Sequence, residues 1–219
     1  MTEKVKNGIT ELVFILDKSG SMSGMESDTI GGFNSMVEKQ KGDDGRVLVS
    51  TVMFSNRSEV IHDRVDLEEI KPLTEKDYVT GGMTALLDAI GGAIHHIGNI
   101  HKYARAEDVP EHTIFIITTD GMENASYNYS SNKIKEMIKR QEGKYGWEFL
   151  FVAANIDAVE TAENIGIRGE RAANYDVSTG ADILFCEMAE TVRQYRKKGV
   201  VRQDWKDNIE ATDKRKKKK

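Results

Sequence analysis

"FILDKSGSMSGM", residues 14–25, is where the sequence changes character within one step. It is apolar through Leu16, turns at Asp17, and then supplies Ser19, Ser21 and Ser23 with Gly20 and Gly24 among them. Phe14–Leu16 close an apolar run that reads as a strand buried on both faces. The hydroxyl- and glycine-rich segment after Asp17 reads as the loop that ends it.

Working outward, three further runs have the same make-up: "RVLVSTVMFS", "HTIFIITTD" and "WEFLFVAAN". All are rich in Val, Ile and Phe and bounded by polar or glycine-containing segments, as buried strands are. "SEVIHDRVDL" alternates loosely and follows "SNRS", which predicts an edge strand paired to its predecessor as a hairpin. "RAANYDV" is a shorter strand candidate. Between the strands, Met22, Met25, Thr29, Phe33, Met36 and Val37 recur at three- and four-residue steps and predict one helical face. "TALLDAIGGAIHHIGNIHKYA" does so through Leu87, Ile90, Ile94, Ile97 and His101, and "GADILFCEMAETVRQYRKKG" through Leu184, Met188, Val192 and Tyr195. "SSNKIKEMIKRQ" and "DAVETAENIG" complete the set of helices. Strand and helix alternate from Glu11 to Gly199, which implies an α/β fold: a doubly wound, mostly parallel six-stranded sheet with one antiparallel edge strand and helices on both faces. The division expected is an N-terminal extension over 1–8, one domain over 9–199, and a C-terminal extension with a basic tail over 200–219.

Composition bounds the function classes. The chain has 219 residues, 39% of them hydrophobic, and two Pro, enough to bury a single core. No run approaches the roughly 20 consecutive apolar residues of a membrane span, and "MTEKVKNGITE" lacks the apolar stretch of a signal peptide. One Cys beside nine Met fits a reducing compartment, so the expected location is cytoplasmic. The formal charge of −5 is uneven: without the six basic residues of "KRKKKK" at 214–219, 25 of the 31 bases face 36 acids, a charge of −11. An acidic body argues against a nucleic-acid binder, and the tail reads as a solvated charge run.

In open α/β sheets ligands sit outside the carboxyl ends of the strands, where the winding reverses. Asp17, Ser19 and Ser21 lie at such an end, and in an extended loop their alternation turns them to one side. Thr84 in "GGMTALLDAI" opens a helix, and Asp120 in "IITTDGMEN" closes a strand. Three loops thereby bring oxygen ligands toward one crevice, and oxygen ligands with hydroxyls suit a hard cation such as Mg²⁺ better than Zn²⁺.

"FILDKSGSM", "GGMTALLDAI" and "IITTDGMENAS" resemble, in order and rough spacing, the three segments of the metal-ion-dependent adhesion site (MIDAS) of von Willebrand factor type A (VWA) domains. The resemblance spans about residues 9–199 and implies Asp17, Ser19, Ser21, Thr84 and Asp120 as metal ligands, some through water. It further implies Mg²⁺, with Mn²⁺ and Ca²⁺ as alternatives, in a site that docks an acidic side chain, Glu or Asp, of another protein. Only two of the five positions carry charge, so the ion stays electron-poor and favours one more anionic oxygen. Standalone members resemble parts of bacterial or phage stress-response or assembly systems. In the family, ligand binding is associated with movement of the final helix, here about residues 181–198.

Other chemistries are poorly supported. Ser21 or Ser23 as helix cap, Thr84 as a cap in addition to a ligand, and Gly121 as the residue permitting a tight turn are the structural readings. Glu123 and Asn124 read as a solvated loop. His95, His96 and His101 lack zinc spacing. A Mg²⁺-dependent, phosphatase-like hydrolase built on the Asp17 loop is the alternative function, but the second Asp of that chemistry is replaced by Ser19. "GSMSG" is not a nucleophile elbow, and no phosphate-binding glycine motif is present. The expectation is a protein-interaction module, not an enzyme.

Overall fold

The computed structural model describes residues 8–212, with the side chains of 177–182 and 212 excepted; the basic tail at 214–219 lies outside the described residues. The strands are β1 (Thr10–Asp17), β2 (Val47–Phe54), β3 (Ser58–Asp66), β4 (His112–Thr119), β5 (Glu148–Ala153) and β6 (Ala172–Asn174). The helices are α1 (Glu26–Glu38), α2 (Leu86–Tyr103), α3 (Ser131–Tyr145), α4 (Ala158–Asn164), α5 (Val177–Lys198) and α6 (Asp207–Thr212). One six-stranded sheet runs in the order β3-β2-β1-β4-β5-β6, parallel throughout except for β3, which pairs antiparallel with β2 at the edge.

Every residue of β1 and β2 is buried, because helices cover both faces of the sheet. Alternation along β1 divides the core. Leu12, Phe14 and Leu16 face α1 and α5, while Val13 and Ile15 face α2 and α3. The edge strand β3 is largely exposed, and its pairing with β2 shifts register between Val49 and Val52. Arg64 on β3 takes a left-handed φ of 51°. That backbone costs a non-glycine residue energy, and it accompanies the inward reach of Arg64 Nε to the fully buried Glu11, 2.8 Å away.

One helical expectation needs correction. The first helix does not contain Met22 or Met25: Gly20–Met22 form a 3₁₀ turn, Gly24 has φ 90°, and α1 begins at Glu26. Both methionines are nevertheless buried against the core, so a spacing that matched a helix is met by a turn followed by a helix. The chain after α5 also joins the core. Trp205 and Ile209 are fully buried, and the Trp205 indole donates to the Glu170 carbonyl at 2.8 Å. Among the described residues, no helix is long and apolar enough to cross a membrane.

Candidate functional site

The sheet reverses its winding between β1 and β4. From β1 the chain moves by way of α1 to β2 on one side, while β4 lies on the other. Asp17 ends β1, and Thr119 ends β4 with Asp120 directly after it. Two backbone bonds tie the 79–84 segment to the first loop: Gly20 N–H to the Gly82 carbonyl at 3.0 Å, and Gly81 N–H to the Lys18 carbonyl at 2.9 Å. Asn124 N–H to the Thr84 carbonyl, 3.0 Å, ties in the third loop. Main-chain bonds therefore set the relative positions of the three loops.

The side chains converge accordingly. Ser21 Oγ donates to Asp120 Oδ1 at 2.5 Å, and the Ser19 and Ser21 hydroxyls are 3.1 Å apart. Thr84 is placed by Gly121: a Cβ on that glycine would lie 2.9 Å from Thr84 Oγ1, 3.1 Å from Ser21 Oγ and 3.7 Å from Ser19 Oγ. The three hydroxyls thus ring the space next to Gly121. That glycine has no left-handed φ, and its bare position is explained by crowding from site oxygens. An extended loop is not what joins Ser19 to Ser21 either; the 3₁₀ turn does so.

Asp17 is fully buried. Its Oδ1 accepts from Ser19 N–H at 2.7 Å and its Oδ2 from the Thr119 hydroxyl at 2.5 Å. Burial pushes its carboxyl above the usual carboxylate range. The Thr119 and Ser19 bonds hold it down, and the Asp120 charge adds to the rise. Burial, followed by the same two carboxylates among its causes, also raises the Tyr78 and Tyr175 phenols, so both stay neutral at ordinary pH. Thr119 and Tyr78, whose hydroxyl donates to the Asp17 carbonyl, are site residues that sequence reading missed. Thr119 adjoins Asp120 and was legible in position but not in role, whereas Tyr78 carries no local signal.

Further assignments change. Neither Ser21, Ser23 nor Thr84 caps a helix: α1 and α2 begin after Met25 and Ala85, which make no side-chain cap. The start of α2 is capped from another loop instead, where Glu123 Oε2 accepts from Leu87 N–H at 2.9 Å and Ser126 Oγ from Asp88 N–H at 3.0 Å. Glu123 also accepts from Ala125 and Ser126 N–H, and Asn124 Oδ1 from Thr84 N–H, so these residues are anchors and not a solvated loop. His96 pairs with Asp63 and His101 with Glu11, in keeping with packed or solvated histidines.

The donor set fits a hard divalent ion: three hydroxyls surround the space that a Gly121 Cβ would occupy, the Asp120 carboxylate bonds one of them, and the Asp17 carboxylate is held beside them by Ser19 N–H and Thr119. Among the described residues, no group of three or more His, Cys, Asp or Glu is arranged to hold a metal. Four large apolar side chains stand exposed on the same loops: Val79, Met83, Met122 and Tyr127.

No protein-family model and no curated protein matches the chain. Solved structures do. A von Willebrand factor type A protein of Catenulispora acidiphila matches with TM-score 0.56 and 15% identity over 83% of this chain and 42% of its own. The chain has the von Willebrand factor type A fold. The vWF domain of the type V pili tip protein Mfa5 from Porphyromonas gingivalis superposes with TM-score 0.60 at 11% identity, over 88% of this chain and 98% of that one. Proximal thread matrix protein 1 from the mussel byssus, whose MIDAS motif is occupied by zinc, gives TM-score 0.56 at 17% identity over 85% of this chain and 46% of its own. The chain spans about half the length of the byssus protein. In this VWA fold Asp17 ends β1, Ser19, Ser21 and Asp120 lie on the loops following β1 and β4, and Thr84 lies on the segment that leads into α2.

Proposed function

We propose that this chain is a divalent-metal-dependent protein-interaction module, with Asp17, Ser19, Ser21, Thr84 and Asp120 holding Mg²⁺, or Mn²⁺ or Ca²⁺ in its place. The observation that carries the reading is the hydroxyl-lined space at Gly121, ringed by Thr84, Ser21 and Ser19 with Asp120 bonded to Ser21. Bound there, the ion supplies a Lewis-acidic position for one more anionic oxygen, such as a Glu or Asp carboxylate of a partner protein. The residues do the positioning: Thr119 and the Ser19 amide orient the Asp17 carboxylate, and Tyr78 steadies its backbone. Burial makes the Asp17 charge costly, and a cation next to it relieves that cost.

Exposed Val79, Met83, Met122 and Tyr127 favour a macromolecular partner over a small phosphate ester, since exposed apolar side chains gathered near one site mark a protein-binding surface. No nucleophile–base pair accompanies Asp17 among the described residues, whose oxygens are taken by Ser19 and Thr119. The test is capture of partners from the host's own lysate with Mg²⁺ and with EDTA, followed by the purified pair. Binding that needs the metal and is lost in Asp17→Ala supports the reading; metal-independent binding, or Mg²⁺-dependent turnover of phosphate esters, overturns it.

A further inference from the structure

A cleft of about 580 Å³ opens between α2 and α3, on the face of the sheet opposite α1 and α5, and none of the five candidate ligands lines it. Its size falls in the range of small-molecule sites, roughly 300–1,000 Å³. Ile94, Met137 and Trp147 give it apolar walls, and Tyr129 adds a half-buried ring. The rim is cationic, with exposed Lys102 from the end of α2 and exposed Lys133 and Arg140 from α3. Among the described residues no Asp or Glu lines the cleft, although acids outnumber bases 36 to 31 in the chain. Lys133 meets only the exposed Glu136 at 3.7 Å, a contact too long and too wet to neutralise it. Lys102 Nζ meets Tyr103, at 3.2 Å from its hydroxyl, and leaves its charge uncompensated.

A second observation is independent of charge. His101 lines the cleft with its side chain 10% exposed, and its Nε2 bonds Glu11 Oε2 at 2.6 Å. Glu11 is completely buried and holds Arg64 Nε at 2.8 Å with its other oxygen. Trp147 packs edge-on to the imidazole, with ring centroids 5.4 Å apart. The ring is therefore fixed from behind, while its Nδ1 has no hydrogen bond among the described residues. In the tautomer whose Nε2 alone carries the proton and donates it to Glu11, Nδ1 is an acceptor. The cleft thus combines apolar walls, a positive rim and one oriented acceptor.

We propose that this cleft binds a small aromatic anion bearing an N–H or O–H donor, the chemical class of the mononucleotides. The ring lies against Tyr129 and Met137, the charge meets Lys102, Lys133 and Arg140, and the donor faces His101. The test uses the full chain and calorimetry with AMP, adenosine and inorganic phosphate. AMP is expected to bind saturably, with adenosine and phosphate each at least about tenfold weaker, because each keeps one half of the recognition. Lys102→Ala with Arg140→Ala, both exposed and so compatible with folding, is expected to weaken AMP at least about tenfold and adenosine little. Asp17→Ala is expected to leave AMP binding unchanged, which separates this site from the metal-site reading. Absence of saturable AMP binding, phosphate binding as tight as AMP, or equal AMP affinity in the folded double variant overturns the proposal.

Discussion

Gly121 is the residue through which the candidate metal site is most directly tested. Its missing Cβ leaves the space that Thr84, Ser21 and Ser19 face, so Gly121→Ala places a methyl 2.9 Å from Thr84 Oγ1. The expected outcome is loss of most of the Mg²⁺-induced rise in Tm with an apo Tm close to wild type, read by thermal denaturation with and without the ion. Asp17→Ala should abolish the same stabilisation while leaving the apo fold largely intact. In wild type that stabilisation reaches about 2.7 kcal/mol at one hundred times the Kd. Thr84→Ala removes an uncharged ligand and should weaken the partner more than the ion, because Asp17 and Asp120 supply the charge attraction. Equal losses in the two affinities, measured side by side, would reduce the site to a rigid metal bridge.

Among the elements, α1 and α5 are keyed together by a single glycine. A Cβ on Gly32 would overlap the Phe185 ring, so the helices meet only because that position is bare. Gly32→Ala should cost about 1–3 kcal/mol of stability, the usual penalty of overpacking a filled core, measured by chemical denaturation. A variant as stable as wild type would show that the Phe185 ring moves aside without cost and that the close fit does not contribute to stability. On the other side of the sheet, α2 begins under carboxylate and hydroxyl groups from the 121–126 segment. Glu123→Ala leaves the Leu87, Ala125 and Ser126 amides without their acceptor and should cost about 1–3 kcal/mol. Rearranging the loop that follows Asp120, it should also lower Mg²⁺ affinity, which titration of the folded variant would detect.

At the scale of the whole molecule, the question is where the folded body ends. Val201, Trp205 and Ile209 lie in the same core cluster as Leu12 and Phe14, and Lys206 Nζ donates to the Gly169 and Ala172 carbonyls at 3.0 and 2.9 Å. Deleting residues 213–219 should leave Tm unchanged, since the sequence there is a run of charges with no apolar side chain to bury. Deleting 200–219 should destabilise the protein by at least about 3–5 kcal/mol, the scale of losing one buried Trp. Parallel melting curves of the two truncations separate the cases.

The sequence by itself determined the strands, the sheet's parallel character and the five oxygen-bearing positions. Each is written locally: strands buried on both faces are continuous apolar runs, and Asp17, Ser19, Ser21, Thr84 and Asp120 fall where such runs end or a helix opens. Only the tertiary structure decided how those positions meet. Ser21 reaches Asp120 through a 3₁₀ turn, Thr119 fixes Asp17 across 102 positions of sequence, and Gly121 is bare because oxygens from other loops crowd it. Glu123 gave no sign of capping α2, Trp205 none of belonging to the core, and Glu11 none of linking Arg64 on β3 to His101 on α2. The physical reason is common to all of them. A residue's own propensity and its neighbours' periodicity are short-range properties, whereas a hydrogen bond or a packing partner is chosen by whatever the folded chain brings within a few ångströms.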